Sequence, residues 1–373
     1  MKRTRMNERW VDSLCRCFEL LPWAPRYLVL LAVPIFGAIV SPARAQTSAP
    51  IASADSTPGN PALVGAITGN YTDAIGDHHG FVRDPHGAIT TFDPPGSKGT
   101  FPASINSAGA MAGSYEDAHL ITHGFARDPS GKFTSFDPRG STNTFATSIN
   151  SAGAIVGSYQ DANGNFHGFL RDPKGKFTTL DAGSRGTSPE SINPAGAIAG
   201  FYADSGGSFH GFVRDTRGKI RTFDPRGSVN TAPQSINSTG AIAGYYIVTG
   251  GTSHGFLRDP KGKVVVLDPP GSIGTFAWSI NRAGFIAGEW ADAKQGSHGF
   301  VRSPKKVFTS FDVPKSSGTS ARAIDDRGDV AGNYGDRNGN SHGFVRNPHG
   351  VITTFDVPNS TSTTVSSIAT LIR

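Results

Sequence analysis

Gly153-Ala-Ile-Val-Gly-Ser-Tyr159, then His167-Gly-Phe-Leu-Arg-Asp172-Pro-Lys-Gly175, Lys176-Phe-Thr-Thr-Leu-Asp181 and Ser191-Ile-Asn193 form the stretch that decides the fold, because the chain repeats it. His-Gly-Phe begins at His79, His123, His167, His210, His254, His298 and His342, at spacings of 44, 44, 43, 44, 44 and 44 residues. Self-similarity at such a period is the signature of a repeat architecture. The 47 Gly and 25 Pro against only 3 Met fit a turn-rich β protein.

Each copy reads as four short antiparallel strands, here Ile155–Tyr159, Phe166–Arg171, Phe177–Asp181 and the segment around Ser191–Asn193. Asp172-Pro-Lys-Gly175 places Asp, Pro and Gly where a type I turn uses them, and Asp84–Gly87, Asp128–Gly131 and Asp259–Gly262 repeat it. A second turn, Asn-x-x-Gly, recurs at Asn150–Gly153, Asn237–Gly240 and Asn281–Gly284. Connections this short make neighbouring strands hairpins. A four-stranded unit of this length is the size of a propeller blade, so residues 62–373 are expected to form a seven-bladed β-propeller. A parallel β-solenoid, the rival, does not turn back through tight hairpins.

The chain ends carry a closure signal. The repeat enters at Gly65-Ala-Ile-Thr-Gly-Asn-Tyr71, without a Ser-Ile-Asn strand before it, and exits at Ser367-Ile-Ala369. Val365–Leu371 is therefore expected to pair with Ile67–Asn70 and close the ring, which removes sheet edges.

Residues 1–45 read as a secretory signal peptide. Lys2, Arg3, Arg5, Arg9, Arg16 and Arg26 precede the apolar stretch Tyr27–Val40, and Ala43-Arg-Ala45 supplies a small-x-small cleavage signature. The stretch is shorter than the ~20 residues of a membrane span; retention as an N-terminal anchor is the alternative. Gln46 to about Asn60, rich in Ser, Thr, Ala and Pro, reads as a disordered spacer over 46–61. Without residues 1–45 the chain has 28 Lys/Arg and 26 Asp/Glu, a net charge of +2. No basic stripe points to nucleic acid. Both cysteines, Cys15 and Cys17, fall in the signal, so neither a disulfide nor a thiolate metal site is expected. The expected product is secreted or periplasmic, monomeric, and without a membrane span once cleaved.

The pattern resembles the bacterial HAF-type extracellular repeat family. His-Gly-Phe stands for that family's His-Ala-Phe, and Ser-Ile-Asn-x-x-Gly-x-Ile-x-Gly matches over residues 62–373. Its usual Trp after His-Ala-Phe-x is Arg here, as at Arg83 and Arg171. The resemblance implies export and a propeller-like array, and it transfers no catalytic residue.

A residue present in every copy serves the blade. Each His is expected to hydrogen-bond an Asp across the hairpin, His79 with Asp93 and His167 with Asp181, as a buried pair. Ile192, Phe169, Tyr159 and Trp290 are expected in the core, and the Gly after His is expected to let blade pack on blade. The repeated Arg (Arg127, Arg171, Arg214, Arg258) is read either as a partner of turn acids or as a solvated charge.

Several motifs are incomplete. Asp161-Ala-Asn-Gly-Asn165 and Asp336-Arg-Asn-Gly-Asn340 start like calcium loops, but Leu170 and Val345 stand where the bidentate Glu is needed. Gly-x-Ser-x-Gly at Gly251–Gly255 and Gly339–Gly343 lacks the helix of a nucleophile elbow. Only Glu116, Glu190 and Glu289 follow residue 46, which leaves little for paired-carboxylate catalysis. No catalytic residue, metal site or cofactor is assigned.

Function on a symmetric scaffold is sought where the copies differ. The residue before Ser-Ile-Asn is Ala103, Thr147, Glu190, Gln234, Trp278, Arg322 and Ser366, while Thr three before and Ile two after stay constant. Glu190, Gln234, Trp278 and Arg322 would put an acid, an amide, an aromatic ring and a cation on one arc of the central funnel. That set suits a polysaccharide, a small polar ligand or a surface protein; drift at a tolerant rim is the competing reading. The expectation is a non-enzymatic binding module. The alternatives are a lyase or hydrolase using Glu190 and Arg322 in the funnel, and a purely structural repeat protein.

Overall fold

The computed structural model describes residues 65–370 apart from Ser184. The expected signal peptide and spacer, and Leu371 of the expected closing strand, lie outside the described residues. These form 28 strands and no helix.

The chain opens with β1 (Ile67–Thr72), β2 (His78–Arg83) and β3 (Ile89–Phe92). The pattern is fullest in β8 (Ser141–Ile149), β9 (Ile155–Asp161), β10 (Phe166–Arg171) and β11 (Phe177–Leu180), an antiparallel meander in which each strand pairs with the next. Its turns are the ones the sequence predicts. Gly175 N donates to Asp172 O at 2.9 Å, with Gly175 at φ +89°, the left-handed residue that lets so short a loop match the strand twist. Asp161 Oδ1 accepts from the backbone N–H of Asn163 and Asn165, both at 2.8 Å, so that loop is an Asx turn.

The strands bearing Ser-Ile-Asn or its equivalent are β4 (Gly99–Ile105), β8, β12 (Gly186–Ile192), β16 (Ser228–Ile236), β20 (Gly274–Ile280), β24 (Gly318–Ile324) and β28 (Ser362–Ile368). Each touches the next in that order, and β28 touches β4. They are the inner strands, and each leads a four-stranded unit outward. The Phe of His-Gly-Phe fills every unit: Phe81, Phe125, Phe169, Phe212, Phe256, Phe300 and Phe344 are all 0% exposed. Burying a large aromatic side chain is worth about 2–3 kcal/mol.

Polar ladders tie unit to unit. Asn106 Nδ2 donates to Asn150 O at 2.9 Å, Asn150 to Asn193 O at 3.2 Å, Asn193 to Asn237 O at 3.0 Å, Asn237 to Asn281 O at 3.0 Å and Asn281 to Asp325 O at 2.9 Å. The same Asn side chains accept from their own turns through Oδ1. One amide thus shapes a turn and bridges to the next unit. Asp325 keeps only the accepting half. It is 2% exposed, and Arg327 meets it at 3.4 Å and Asp329 at 2.9 Å.

The repeated Arg feels the charge of its turn acid, as Arg127 does that of Asp128 and Arg171 that of Asp172, but its closest partner in most units is an aromatic ring. Arg127 lies 4.9 Å over Phe92, Arg171 5.0 Å over Phe136, Arg258 4.8 Å over Phe223 and Arg346 4.8 Å over Phe311, each ring belonging to the outer strand of the preceding unit. Where that ring is Leu, at Leu180 and Leu267, neither Arg214 nor Arg302 has such a stack; Arg302 turns to Phe308 of its own unit at 6.0 Å. The Gly after His gives room inside one unit: a Cβ on Gly80 would sit 2.5 Å from the Phe92 ring. That ring then meets the next unit.

The last strand returns to the first. β28 pairs antiparallel with β1, Ile67 opposite Ile368 and Thr72 opposite Ser362. Val365 N donates to Asn333 Oδ1 at 2.7 Å, and Ile67, Phe81, Ala323, Val357 and Val365 share one apolar cluster.

Candidate functional site

The residue that varies before Ser-Ile-Asn has one structural identity in every unit: it is the extra residue of a β-bulge. Pairing skips from Pro102 to Ser104, Ala146 to Ser148, Pro189 to Ser191, Pro233 to Ser235, Ala277 to Ser279 and Ala321 to Ala323, and β28 skips from Val365 to Ser367 opposite Gly69 and Thr68. The skipped residues are Ala103, Thr147, Glu190, Gln234, Trp278, Arg322 and Ser366. A bulge frees its residue from the ladder and re-aims the side chain. All seven are half-buried.

A glycine faces each bulge, at Gly69, Gly113, Gly157, Gly200, Gly244, Gly288 and Gly332. A Cβ there would collide with the carbonyl oxygen of Thr364, Phe101, Phe145, Ser188, Ala232, Phe276 or Ser320 respectively. The second Gly of Gly-x-Ile-x-Gly is thus what the bulge needs, and it is the sequence signal that the repeat reading passed over.

Trp278 and Arg322 are brought together. The Arg322 guanidinium lies 4.4 Å from the centre of the Trp278 ring. Phe276 stacks on Trp278 at 5.6 Å and 7°, Tyr245 meets it edge-on at 5.7 Å, and Trp278 Nε1 donates to Glu289 Oε1 at 3.3 Å. No repeat pattern points to Phe276, Tyr245 or Glu289 as members of this site, and only the fold puts them beside the bulge. Arg322 has no carboxylate within ion-pair distance among the described residues, unlike Arg282 with Asp326 at 3.0 Å.

Glu190 is held apart from this cluster. The Ser188 hydroxyl donates to its Oε1 at 2.6 Å. Some of its surface meets solvent, yet it stands deep among protein atoms, and that burial pushes the carboxyl up to about 7 against the opposing Ser188 bond. Gln234, on the inner strand between those of Glu190 and Trp278, makes no side-chain hydrogen bond to another described residue.

The repeated His–Asp pairs form at the predicted partners, His79 Nδ1 to Asp93 at 2.8 Å, His123 to Asp137 at 2.7 Å and His167 to Asp181 at 3.1 Å. They are not buried. The His79 and Asp93 side chains are 27% and 39% exposed. In every unit but that of His254 a second carboxylate faces Nε2, as Asp73 faces His79 at 3.5 Å. Burial draws the His79 pKa down, but the bonds and charges of Asp93 and Asp73 outweigh it and the pKa is raised. A Tyr packs on the His ring, as Tyr159 does on His167 at 5.2 Å. Trp290 takes that place in its unit, 4.7 Å from His298, with Nε1 bonded to Ser310 at 2.9 Å. It is half-buried beside the His and packs against the core cluster of its unit, at the edge of the core rather than within it, as Tyr159 does. No cluster of three metal-ligating side chains occurs among the described residues. Ser253 and Ser341 of the two Gly-x-Ser-x-Gly stretches open β-strands, which no helix follows.

No family model matches the chain, and no curated protein does. Solved structures do. The β-propeller domain of the Trilobed protease from Pyrococcus furiosus is 10% identical with a TM-score of 0.55, over 79% of this chain and 95% of that one. A puromycin-hydrolyzing peptidase of Mycobacterium tuberculosis is 13% identical with a TM-score of 0.56; 78% of this chain is covered, and it spans about half, 51%, of the peptidase. The BP39L lectin from Burkholderia pseudomallei is 9% identical with a TM-score of 0.52, over 79% and 96% of the two chains. With the repeated four-stranded units, these likenesses show a β-propeller fold.

Proposed function

We propose that the chain is an exported, non-enzymatic interaction module of the HAF-repeat kind: a seven-bladed ring closed by β28, with its ligand site in the central funnel. The pairing of β28 with β1 and the contact of β28 with β4 support closure. One observation carries the site. The repeat holds its sequence around each bulge and varies at the bulge residue itself, where a side chain is released from the sheet. Four consecutive inner strands then present Glu190, Gln234, Trp278 and Arg322. A glycan end or another small polar ligand is the occupant this set suits, with the aromatic cluster for its apolar face and the polar groups for its hydroxyls.

The test is a panel of glycans, small acids and surface-protein peptides read by intrinsic fluorescence. Trp278 and Trp290 are the only tryptophans after residue 45. A saturable change that disappears in Trp278→Phe supports the funnel. Responses that survive both Trp278→Phe and Gln234→Ala place binding elsewhere. A lyase or hydrolase reading has one specific support, the Glu190 carboxyl near 7, the range a general acid or base needs at neutral pH. Any ligand found is therefore to be assayed for turnover with Glu190→Gln as the control.

A further inference from the structure

Resting on that funnel reading, we infer that the ligand is an acidic saccharide whose carboxylate is taken by Arg322. Three features of the arc select this class.

The first is an unanswered cation. Among the described residues, the acidic partners of Arg221, Arg282 and Arg327 lie at 3.5, 3.0 and 2.9 Å. Arg322 has none. It is half-buried at a bulge on an inner strand, with its guanidinium on Trp278 at 4.4 Å. Stacking satisfies the plane and leaves the N–H edge for an acceptor, and that edge matches a carboxylate in bidentate fashion.

The second is fixation. Trp278 is held by Phe276 at 7° and 5.6 Å, by the Tyr245 edge and by Glu289. A cation resting on so constrained a ring loses little further freedom on binding, which favours affinity.

The third is the charge of the surroundings. Glu289 is bonded to Trp278, the ring on which Arg322 rests, so a dianionic phosphate would meet more repulsion there than a singly charged carboxylate. Gln234, Ser366 and the Ser188–Glu190 pair offer the mixed donors and acceptors that hydroxyl groups use.

The experiment is calorimetric titration of the full-length exported protein with trigalacturonate, with neutral galactotriose and with sulfated galactotriose, at two salt concentrations. The expected result is saturable trigalacturonate binding at least tenfold tighter than galactotriose, weakened by salt. Arg322→Gln should erase the difference, and Arg322→Lys, which keeps the charge but loses the planar fork, should restore only part of it. Galactotriose binding as tightly as trigalacturonate, with both weakened by Gln234→Ala, overturns the inference and leaves the funnel site standing. Preference for the sulfated sugar, lost in Arg322→Gln, keeps the anion contact but overturns the carboxylate. Binding of none of the three overturns the inference and the glycan reading together.

Discussion

Arg83 of β2 lays its guanidinium 5.2 Å from the ring centre of Phe355, near the other end of the chain. It repeats the contact that Arg127 makes with Phe92 between units adjacent in sequence. The seam between the first and last units is thus built with the same parts as the other junctions. Leu replaces the ring at Leu180 and Leu267, so Phe355→Leu is tolerated sterically and should cost roughly 1 kcal/mol from the lost cation–π contact. Urea denaturation measures it; a loss several-fold larger would mean the seam depends on the ring far more than other junctions do.

Deleting residues 363–373 should do much more. It removes most of β28, with buried Val365 and Ile368 and the Asn333 bond, and leaves β1 as an open edge. The expected outcome is loss of a single cooperative melt, or a fall in Tm of about ten degrees or more, with a rise in association seen by light scattering. A truncated protein that melts like the parent would contradict closure by β28.

The asparagine ladder separates two functions of one side chain. Asn193→Asp keeps an acceptor for Ala197 N but gives up donation to Asn237 O, and it places a charge at a site 3% exposed. A cost of about 2–3 kcal/mol is expected. Asp325 already answers the same charge at its own turn, through the basic residue two positions on, Arg327. Asn193→Asp combined with Ala195→Arg should therefore recover part of the loss in equilibrium unfolding, and a double variant no more stable than the single one would count against that compensation.

Between about pH 5 and about pH 8 the raised groups outnumber the one opposing histidine, His78, whose pKa burial lowers. His79, His123, His210 and His298 have raised pKa values: burial opposes this, but their Asp partners outweigh it. Their contribution is complete below 6.5 and disappears as pH rises through the folded values. Burial likewise raises Glu190 to about 7 and Asp329, beside Asp325, to about 6, so these also favour the folded state at lower pH. Asp161 and Asp336, held at about 2 against some burial by bonds from Asn165, Asn340 and their turns, lose their contribution only as pH falls below 3.8. Tm should thus be higher at about pH 5 than at about pH 8. The reverse order, by scanning calorimetry, would contradict the paired state of the histidines.

Glu190→Gln isolates one of these groups. Gln is neutral at all pH, so the variant should match the parent near pH ~4 and exceed it by roughly 1–3 kcal/mol near pH ~8. No gain at the higher pH would show that Glu190 ionises there without penalty.

Local and repeated features were legible in the chain itself. Hairpin turns follow from Asp-Pro-x-Gly and Asn-x-x-Gly, strands from the apolar residues between them, and the His79–Asp93 partnership from a constant spacing, since hydrogen bonding across a hairpin is set by loop length. The row of variable residues from Ala103 to Ser366 was legible too, as the one position that changes within a constant frame. Features that depend on depth, or on neighbours from other units, came only with the assembled sheets. His–Asp pairs stay partly exposed rather than buried, and Trp290 packs beside one of them, because the depth of a strand end in the assembled units is not written in its own sequence. The bulge that frees Glu190 and Trp278 depends on a carbonyl approaching a glycine across the ladder. Arg322 meets Trp278 because successive inner strands stand side by side, and Tyr245 meets Phe276 because the second strand of one unit packs on the inner strand of the next, arrangements that no single repeat contains.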